Sequence, residues 1–500
     1  MKVNLFTKAQ PEHMGISSKH IIRFLKKAEA NGVMLHSILM MRRGNIVAEG
    51  YYAPFTQNEL HRVYSVSKTF TSTAIGLLAD EGRISLDDHV CDYFQDKLPE
   101  TPHPYILDMR IRDLLIMATP HTVPTYKPDD KDWAWTFFNT EPSHPPGTIF
   151  SYDTSGTYVL DVLIERVTGK PFLEYLKDKV LRELGFSENA WCIKAPEGHS
   201  WGGSGVMCTT RDLAILAVLY MNNGNIGGRQ YISEEYVKAA TSRQIDNAPT
   251  GHRDYLHGNG YGYQIWMLKD GAYAFVGMGM QLVICVPRED FIFICTGDTQ
   301  GSAQVYAGIF ELLWSEIIEH LQPGSLPEDE TSARQLEELL CSLKVVNPII
   351  GQSSSPFAEK INRRLYALNS NPMGLEKIGI ILNDNTGQLV YVTKEGEKHI
   401  SFGLENYVQG LFPQTNYYGD TIGTPGGRMY KCMAAARWTE ENKLVIRCYI
   451  IDCYLGNLTV TLSYKGDEIG VCMTKTAEWF LDEYEGFAGG RIIANESLKL

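Results

Sequence analysis

Ser65 and Lys68 stand three residues apart in Tyr64-Ser65-Val66-Ser67-Lys68-Thr69, at the head of a stretch whose apolar residues Val66, Phe70, Ala74, Leu77 and Leu78 fall at helical spacing. Residues i and i+3 share a helix face, so the hydroxyl and the amine come within hydrogen-bond reach, while the helix N-terminus adds N–H groups and positive potential. A crowded, partly dry amine can lose its proton and take the one on Ser65, which is what a hydroxyl nucleophile requires. Taken alone the S-x-x-K spacing is common, and a serine cap followed by a solvated lysine reads the same way. Two further places add chemistry. Tyr152, in Phe150-Ser151-Tyr152-Asp153-Thr154, sits in a loop just before a helical stretch, where its hydroxyl can point into a cleft. Gly277-Met278-Gly279-Met280 opens an apolar strand with glycines where a substrate would have to approach the backbone closely. The glycine-aromatic run from Gly258 to Trp266, and Trp133 with Trp135, either wall a cleft or simply pack.

The elements that must position these groups can be read around them. Strand signals cluster at the two ends of the first 320 residues: Ser37 to Met41 and Asn45 to Tyr52 flank a turn at Arg42-Arg43-Gly44, and Gln281 to Val286 and Phe291 to Thr296 flank Pro287 to Asp290. The middle reads helical over Thr69 to Ala79, Tyr158 to Val167 and Arg211 to Met221, with Gly82, Gly169 and Gly224 near the expected ends. An antiparallel sheet built from both chain ends, flanked by helices and carrying a helical insertion, is the α+β arrangement this predicts. The break at Gln322-Pro323-Gly324, the acidic run after it and a helix over Ser332 to Val346 separate a first domain, 1–325, from a linker, 326–355. From residue 356 the pattern turns β-rich, with strands over Lys377 to Leu382, Gln388 to Thr393, Met429 to Trp438, Lys443 to Ile451 and Leu458 to Tyr464. A smaller antiparallel β domain is expected over 356–500.

The chain has 500 residues, too many for one ordinary core, and its 44% hydrophobic and 21% charged composition is that of a globular protein. A formal charge of −13 would repel a phosphate backbone or an anionic bilayer, so neither nucleic acid nor a membrane is an expected partner. No apolar run reaches the roughly 18–20 residues of a bilayer-spanning helix. The opening residues lack a secretory pattern, and the 10 cysteines contain no CxxC pair, so free thiols in a reducing, cytoplasmic setting are expected. There is no G-x-S-x-G elbow, P-loop or H-E-x-x-H helix, and the 13 histidines do not cluster at ligand spacing. His61, shortly before Ser65, reads as a surface or core residue rather than a catalytic one.

As a set and in this order, the motifs resemble the serine β-lactamase and penicillin-binding-protein superfamily, in particular the class C β-lactamase-like branch with family VIII carboxylesterases, D-aminopeptidases and 6-aminohexanoate-dimer hydrolase. Gly76 to Asp88, Ile111 to Met117, Pro146-Gly147-Thr148, Val167 to Gly169 and Gly203 to Leu213 look like the same branch. The resemblance covers roughly residues 10–320. More loosely, the C-terminal part is similar to the lipocalin-like β domains that follow many such hydrolases.

This resemblance implies an acyl-enzyme serine hydrolase acting on a small ester, amide or D-amino-acid peptide. It implies Ser65 as nucleophile, Lys68 as its base and Tyr152 as the proton shuttle to the leaving group. It further implies an oxyanion hole from the backbone N–H groups of Ser65 and Met280, the latter on an edge strand opened by Gly277 and Gly279. A cationic amine beside Tyr152 would draw its pKa down. No cofactor is implied, because side chains and backbone supply both activation and oxyanion stabilisation. Two departures bear on substrate. Thr154 stands where the family's Y-x-N motif has an amide, and Gly277-Met278-Gly279 stands where it has K-T-G, leaving no ammonium on the strand for a substrate carboxylate. An uncharged ester or amide is therefore expected rather than a β-lactam or a carboxypeptidase substrate. The alternative is a penicillin-binding or ligand-sensing module that turns over slowly or not at all.

Overall fold

A computed structural model describes residues 5–127, 129–248, 251–300, 303–414, 429–477 and 480–498. The principal elements of the first part are α1 (Ser18–Ala30), β1 (Leu35–Arg42), β2 (Asn45–Tyr51), α2 (Ser67–Asp80), α3 (Thr154–Thr168), α4 (Thr210–Met221), β3 (Trp266–Met267), β4 (Tyr273–Gly277), β5 (Gln281–Val286), β6 (Phe291–Gly297), α5 (Ala303–Glu316) and α6 (Glu330–Cys341). The strands form one sheet in the order β2-β1-β6-β5-β4-β3, antiparallel at every pairing. N-terminal and C-terminal strands thus meet at its centre, where Ile38 pairs with Cys295 and Met40 with Phe293.

Why these segments become strands is visible in their composition. Every residue of β1, β5 and β6 is buried, so they are mainly apolar rather than alternating, with His36, Ser37, Arg42, Gln281 and Thr296 as buried polar exceptions, whereas the edge strand β2 is partly open to solvent. The β1–β2 connection is a two-residue hairpin turn in which Arg43 and Gly44 both take positive φ, 50° and 72°, the conformation whose twist matches that of the flanking strands. Helix α4 lies on β1, β5 and β6, while α1 packs with α5 and α6. A capping box starts α4: Thr209 accepts from the Asp212 N–H and Asp212 accepts from the Thr209 N–H.

The chain separates into two compact units, one ending at Leu343 and one beginning at Lys344, a division inside the 326–355 stretch that the sequence marks as a linker. The predicted connecting helix is α6, which lies against α1 and β2 and counts with the first unit.

The second unit contains β7 (Arg364–Leu368), β8 (Lys377–Leu382), β9 (Thr386–Thr393), β10 (Gly396–Gly403), β11 (Val408–Phe412), β12 (Tyr430–Glu440), β13 (Lys443–Ile451), β14 (Leu455–Lys465), β15 (Glu468–Ala477) and β16 (Gly486–Ser497). They form one sheet in the order β10-β9-β8-β7-β16-β15-β14-β13-β12-β11, and a bridge from Gly403 on β10 to Ala435 on β12 closes it into a barrel. The alternation Leu458, Val460, Leu462 and Tyr464 supplies buried residues from one face of β14. Ten strands are two more than the eight of a lipocalin barrel. Among the described residues no helix is long and apolar enough to cross a membrane, and all ten cysteines are free thiols.

Candidate active site

Ser65 occupies a short 3₁₀ turn, Tyr64–Val66, that runs straight into α2. The turn is strained at Tyr64, whose φ is +47°, a conformation costing a non-glycine residue of order 1–3 kcal/mol. The buried Arg62 holds it: its guanidinium lies 4.3 Å from the Tyr64 ring centroid and donates to Ser204 O and Oγ at 2.9 and 3.0 Å. Helix α2 is buried from Ser67 through Leu78, so its apolar stripe covers only part of what it must satisfy. Its hydroxyls serve the rest, Thr71 on Asp161, Ser72 on Tyr236 and Thr73 on Tyr220.

Lys68, one turn after Ser65, is 1% exposed. Its Nζ is 2.9 Å from Ser65 Oγ and donates to Gly203 O at 2.6 Å. A carbonyl only accepts, so one amine proton is committed to Gly203. A neutral amine would then still have a lone pair to offer the Ser65 hydroxyl. Tyr152 completes the group: Ser65 is the polar side chain that bears on its hydroxyl, and Lys68 Nζ lies 5.0 Å from its ring centroid. The three side chains predicted from sequence therefore converge.

The pKa expected for Tyr152 is corrected. Burial pushes the phenol up to about 12, and the hydrogen bond from Ser65 offsets this only in part. Desolvation outweighs the nearby amine because the ring lies in an apolar cluster with Met117, Phe150, Tyr261 and Trp266. Asp153, the N-cap of α3, accepts from the Ser155 N–H at 2.8 Å and from Thr119 Oγ1 at 2.8 Å. It fixes where the helix begins, and so where Tyr152 stands. Thr154 opens α3, with its methyl 2.7 Å from where a Gly203 Cβ would lie.

The 277–280 segment is also corrected. Gly277 ends β4 rather than opening a strand, and Met278, Gly279 and Met280 form the turn into β5, an interior strand with neighbours on both sides. The strand next to β4, β3, pairs with it at Tyr273 and Ala274, and the far end of β4 runs beside the Ser65 turn. A Cβ on Gly277 would lie 2.3 Å from Val63 O, so glycine is what lets the two backbones meet. Met280 has φ +85° and a fully buried side chain, whereas Met278 is 39% exposed. Beside Tyr152 a cavity of about 330 Å³ is lined by Phe150, Ser151, Asn247, His252 and His257 among others.

The beta-lactamase family profile matches residues 21–307, more than half of the chain. The chain belongs to the beta-lactamase family. It is similar to 6-aminohexanoate-dimer hydrolase from Paenarthrobacter ureafaciens, 28% identical over 280 residues that span 52% of this chain and 71% of that protein. It is also similar to a beta-lactamase from Lysobacter lactamgenus, 29% identical over 141 residues, 26% of this chain and 34% of that one. Among solved structures, a Bacillus anthracis protein given the provisional name 6-aminohexanoate-dimer hydrolase superposes with a TM-score of 0.51 at 21% identity, covering 64% of this chain and 89% of that one. That last likeness concerns the fold. Family and relatives together make this chain a hydrolase of the serine β-lactamase superfamily.

Within this beta-lactamase-family site, several groups had little or no signal in the sequence. Gly203 lies in a stretch that resembles the family but contributes only a carbonyl. Asn247 is fully buried, accepting from the Gly258 and Gly260 N–H groups at 2.8 and 3.0 Å, and nothing local marks it. Trp266 is a buried member of the apolar cluster behind the site, stacked on Tyr152. Trp133 is wholly buried against Tyr126, with centroids 3.9 Å apart, and packs rather than lining a mouth. His61 is a core residue, its Nε2 2.9 Å from His36 Nδ1.

Proposed function

We propose that this protein hydrolyses small uncharged esters or amides through an acyl-enzyme on Ser65. The observation that carries the reading is that Lys68 Nζ lies 2.9 Å from Ser65 Oγ and 5.0 Å from the Tyr152 ring, whose hydroxyl faces the same serine. Ser65 Oγ attacks the substrate carbonyl carbon as its proton passes to Lys68 Nζ, and the carbonyl oxygen takes the negative charge. Backbone N–H groups of Ser65 and Met280 stabilise that charge, with Gly277 and Gly279 letting the turn approach. As the tetrahedral adduct collapses, Tyr152 gives its proton to the departing oxygen or nitrogen and regains one from Lys68. Water then attacks the ester by the reverse proton path and frees Ser65.

Substrate class follows from what the turn lacks. Gly277-Met278-Gly279 puts no ammonium beside the cleft, so a free carboxylate on the substrate gains nothing there, and Thr154 offers a hydroxyl and a methyl where an amide would bind. The similarity to a 6-aminohexanoate-dimer hydrolase supports an amide bond among those cleaved. The loss of the amide at Thr154 also favours a second reading, a module that acylates quickly and releases slowly. A burst without steady turnover on p-nitrophenyl esters would select it. A cytoplasmic setting fits ten unpaired cysteines.

Intact-mass measurement after a fluorophosphonate tests the nucleophile. The expected result is one adduct on the native protein and none on Ser65→Ala. An undiminished adduct on the variant rejects the assignment.

A further inference from the structure

Asp161 lies on α3, beyond Tyr152, and is fully buried. Thr71, one turn after Lys68 on α2, donates its Oγ1 to Asp161 Oδ1 at 2.6 Å. The same carboxyl lies beside the backbone N–H of Gly202. A Cβ at 202 would fall 2.3 to 2.5 Å from the carboxyl atoms, so only glycine admits it there. The next residue, Gly203, provides the carbonyl that takes a proton of Lys68 Nζ. Helix α2 carries Lys68, the 202–203 backbone holds its amine, and one carboxyl bonds Thr71 of the first and lies against Gly202 of the second.

We propose that Asp161 is a positioning residue for Lys68: by joining α2 to the Gly202–Gly203 backbone, it keeps Nζ facing the Ser65 hydroxyl. The inference rests on the Ser65–Lys68 reading and deepens it. Its charge state matters too. The titratable groups around it are Lys68 on α2, Tyr158 and Glu165 on its own helix, and Cys192. Glu165 is itself tied to His199 and Ser200. Burial raises the proton affinity of Asp161 well above that of an ordinary carboxyl, and Thr71, Gly202 and the charge of Lys68 oppose this. Among the described residues its Oδ2 has no hydrogen-bond partner, an arrangement much more costly for a carboxylate than for a carboxylic acid. As an acid, Asp161 accepts from Thr71 on Oδ1 and carries its proton on Oδ2. It then adds no negative charge that would hold Lys68 as an ammonium and spoil it as a base.

Asparagine reproduces the neutral acid in shape and in acceptor, and alanine reproduces neither. The test measures kcat and KM for a p-nitrophenyl ester from about pH 5 to about pH 10 on full-length Asp161→Asn, Asp161→Ala and Thr71→Val, with Ser65→Ala alongside. The expected result is Asp161→Asn within about threefold of the native kcat/KM with its acid limb unmoved. Asp161→Ala and Thr71→Val should fall at least about tenfold in kcat with KM little changed, as a displaced base requires. An acid limb moved down by about one pH unit or more in Asp161→Asn would show a carboxylate counter-ion and overturn the proposal. A native kcat in Thr71→Val, or in a folded Asp161→Ala, would overturn it as well. Full activity in Ser65→Ala would instead reject the nucleophile, whatever the Asp161 variants do.

Discussion

Tyr152 lies nearly flat on Trp266, ring centroids 5.4 Å apart and planes inclined by 24°. The indole is in turn edge-on to Tyr261 and His257, at 5.1 and 5.4 Å. The phenol that faces Ser65 is thereby kept dry on one side and open to the cavity on the other. Dryness favours its neutral form, so Tyr152 is suited to start each cycle as a proton donor rather than as a phenolate base.

Replacing Trp266 by alanine admits water to the phenol and removes the stack. The expected outcome is a lower Tyr152 pKa, visible as tyrosinate absorbance appearing at lower pH, with the alkaline limb of kcat moving the same way. In the native protein burial holds the Tyr152 proton more tightly than in a free phenol, so no loss of kcat near neutral pH is assigned to it. Tyr152→Phe should lower kcat by about 10²–10⁴, the usual worth of a positioned acid. A native rate in Tyr152→Phe would remove the phenol from the mechanism.

Lys68 separates charge from basicity. Arginine keeps the charge but is not deprotonated in proteins. Lys68→Arg should therefore be as slow as Lys68→Ala, each down by about 10²–10⁴ in kcat. Single-turnover acylation by a p-nitrophenyl ester is the measurement. Appreciable acylation in Lys68→Arg would show that the positive charge, rather than a free amine, is what the site uses.

Much of this site was legible because its signals are local. A hydroxyl and an amine at i and i+3 on a helix start converge whatever surrounds them, and Tyr152 precedes a helix whose cap, Asp153, is written beside it. What local pattern did not reveal depends on which surface covers which. The direction of the Tyr152 pKa shift needed the apolar cluster assembled from 117, 150, 261 and 266. The apolar stripe of α2 was plain, but the burial of its hydroxyl face by Asp161, Tyr220 and Tyr236 was not. In the barrel, the pattern names β8, β9, β12, β13 and β14 but not β7, β10, β11, β15 or β16; in β16, Gly486, Gly489 and Gly490 weaken strand propensity, and its pairing to β7 and β15 is a long-range choice. The misplaced strand start at 277–280 has the same origin: glycines announce a close approach without saying whether strand or turn makes it.

Gly277 can be tested directly. An added methyl would meet Val63 O at 2.3 Å, backbone against backbone, and could be relieved only by parting the 277–280 turn from the Ser65 turn. Since that separation would pull the proposed Met280 donor from the oxyanion position, Gly277→Ala should lose about 10²–10³ in kcat, the worth of one such donor. A melting temperature and a kcat both unchanged would show that the two turns need not touch.

The buried histidine pair makes a separate prediction about stability. His61 Nδ1 lies 2.9 Å from the Arg62 carbonyl, which only accepts, so that nitrogen carries a proton and a neutral His61 offers Nε2 as acceptor to His36 Nδ1–H. Burial lowers both pKa values, His61 to about 4 and His36 well below its ordinary value. Between the unfolded value of about 6.5 and about 4 the unfolded chain therefore binds more protons than the native protein. Stability is at its full value above that window and falls as pH is lowered through it. Urea unfolding at about pH 7 and about pH 5 should show this loss for the native protein. His36→Phe keeps a ring to stack on Phe55, lowers stability at neutral pH by about 1–3 kcal/mol because His61 loses its donor, and has a shallower pH dependence with one titrating site gone. An equally steep dependence in His36→Phe would mean that the acid sensitivity arises elsewhere.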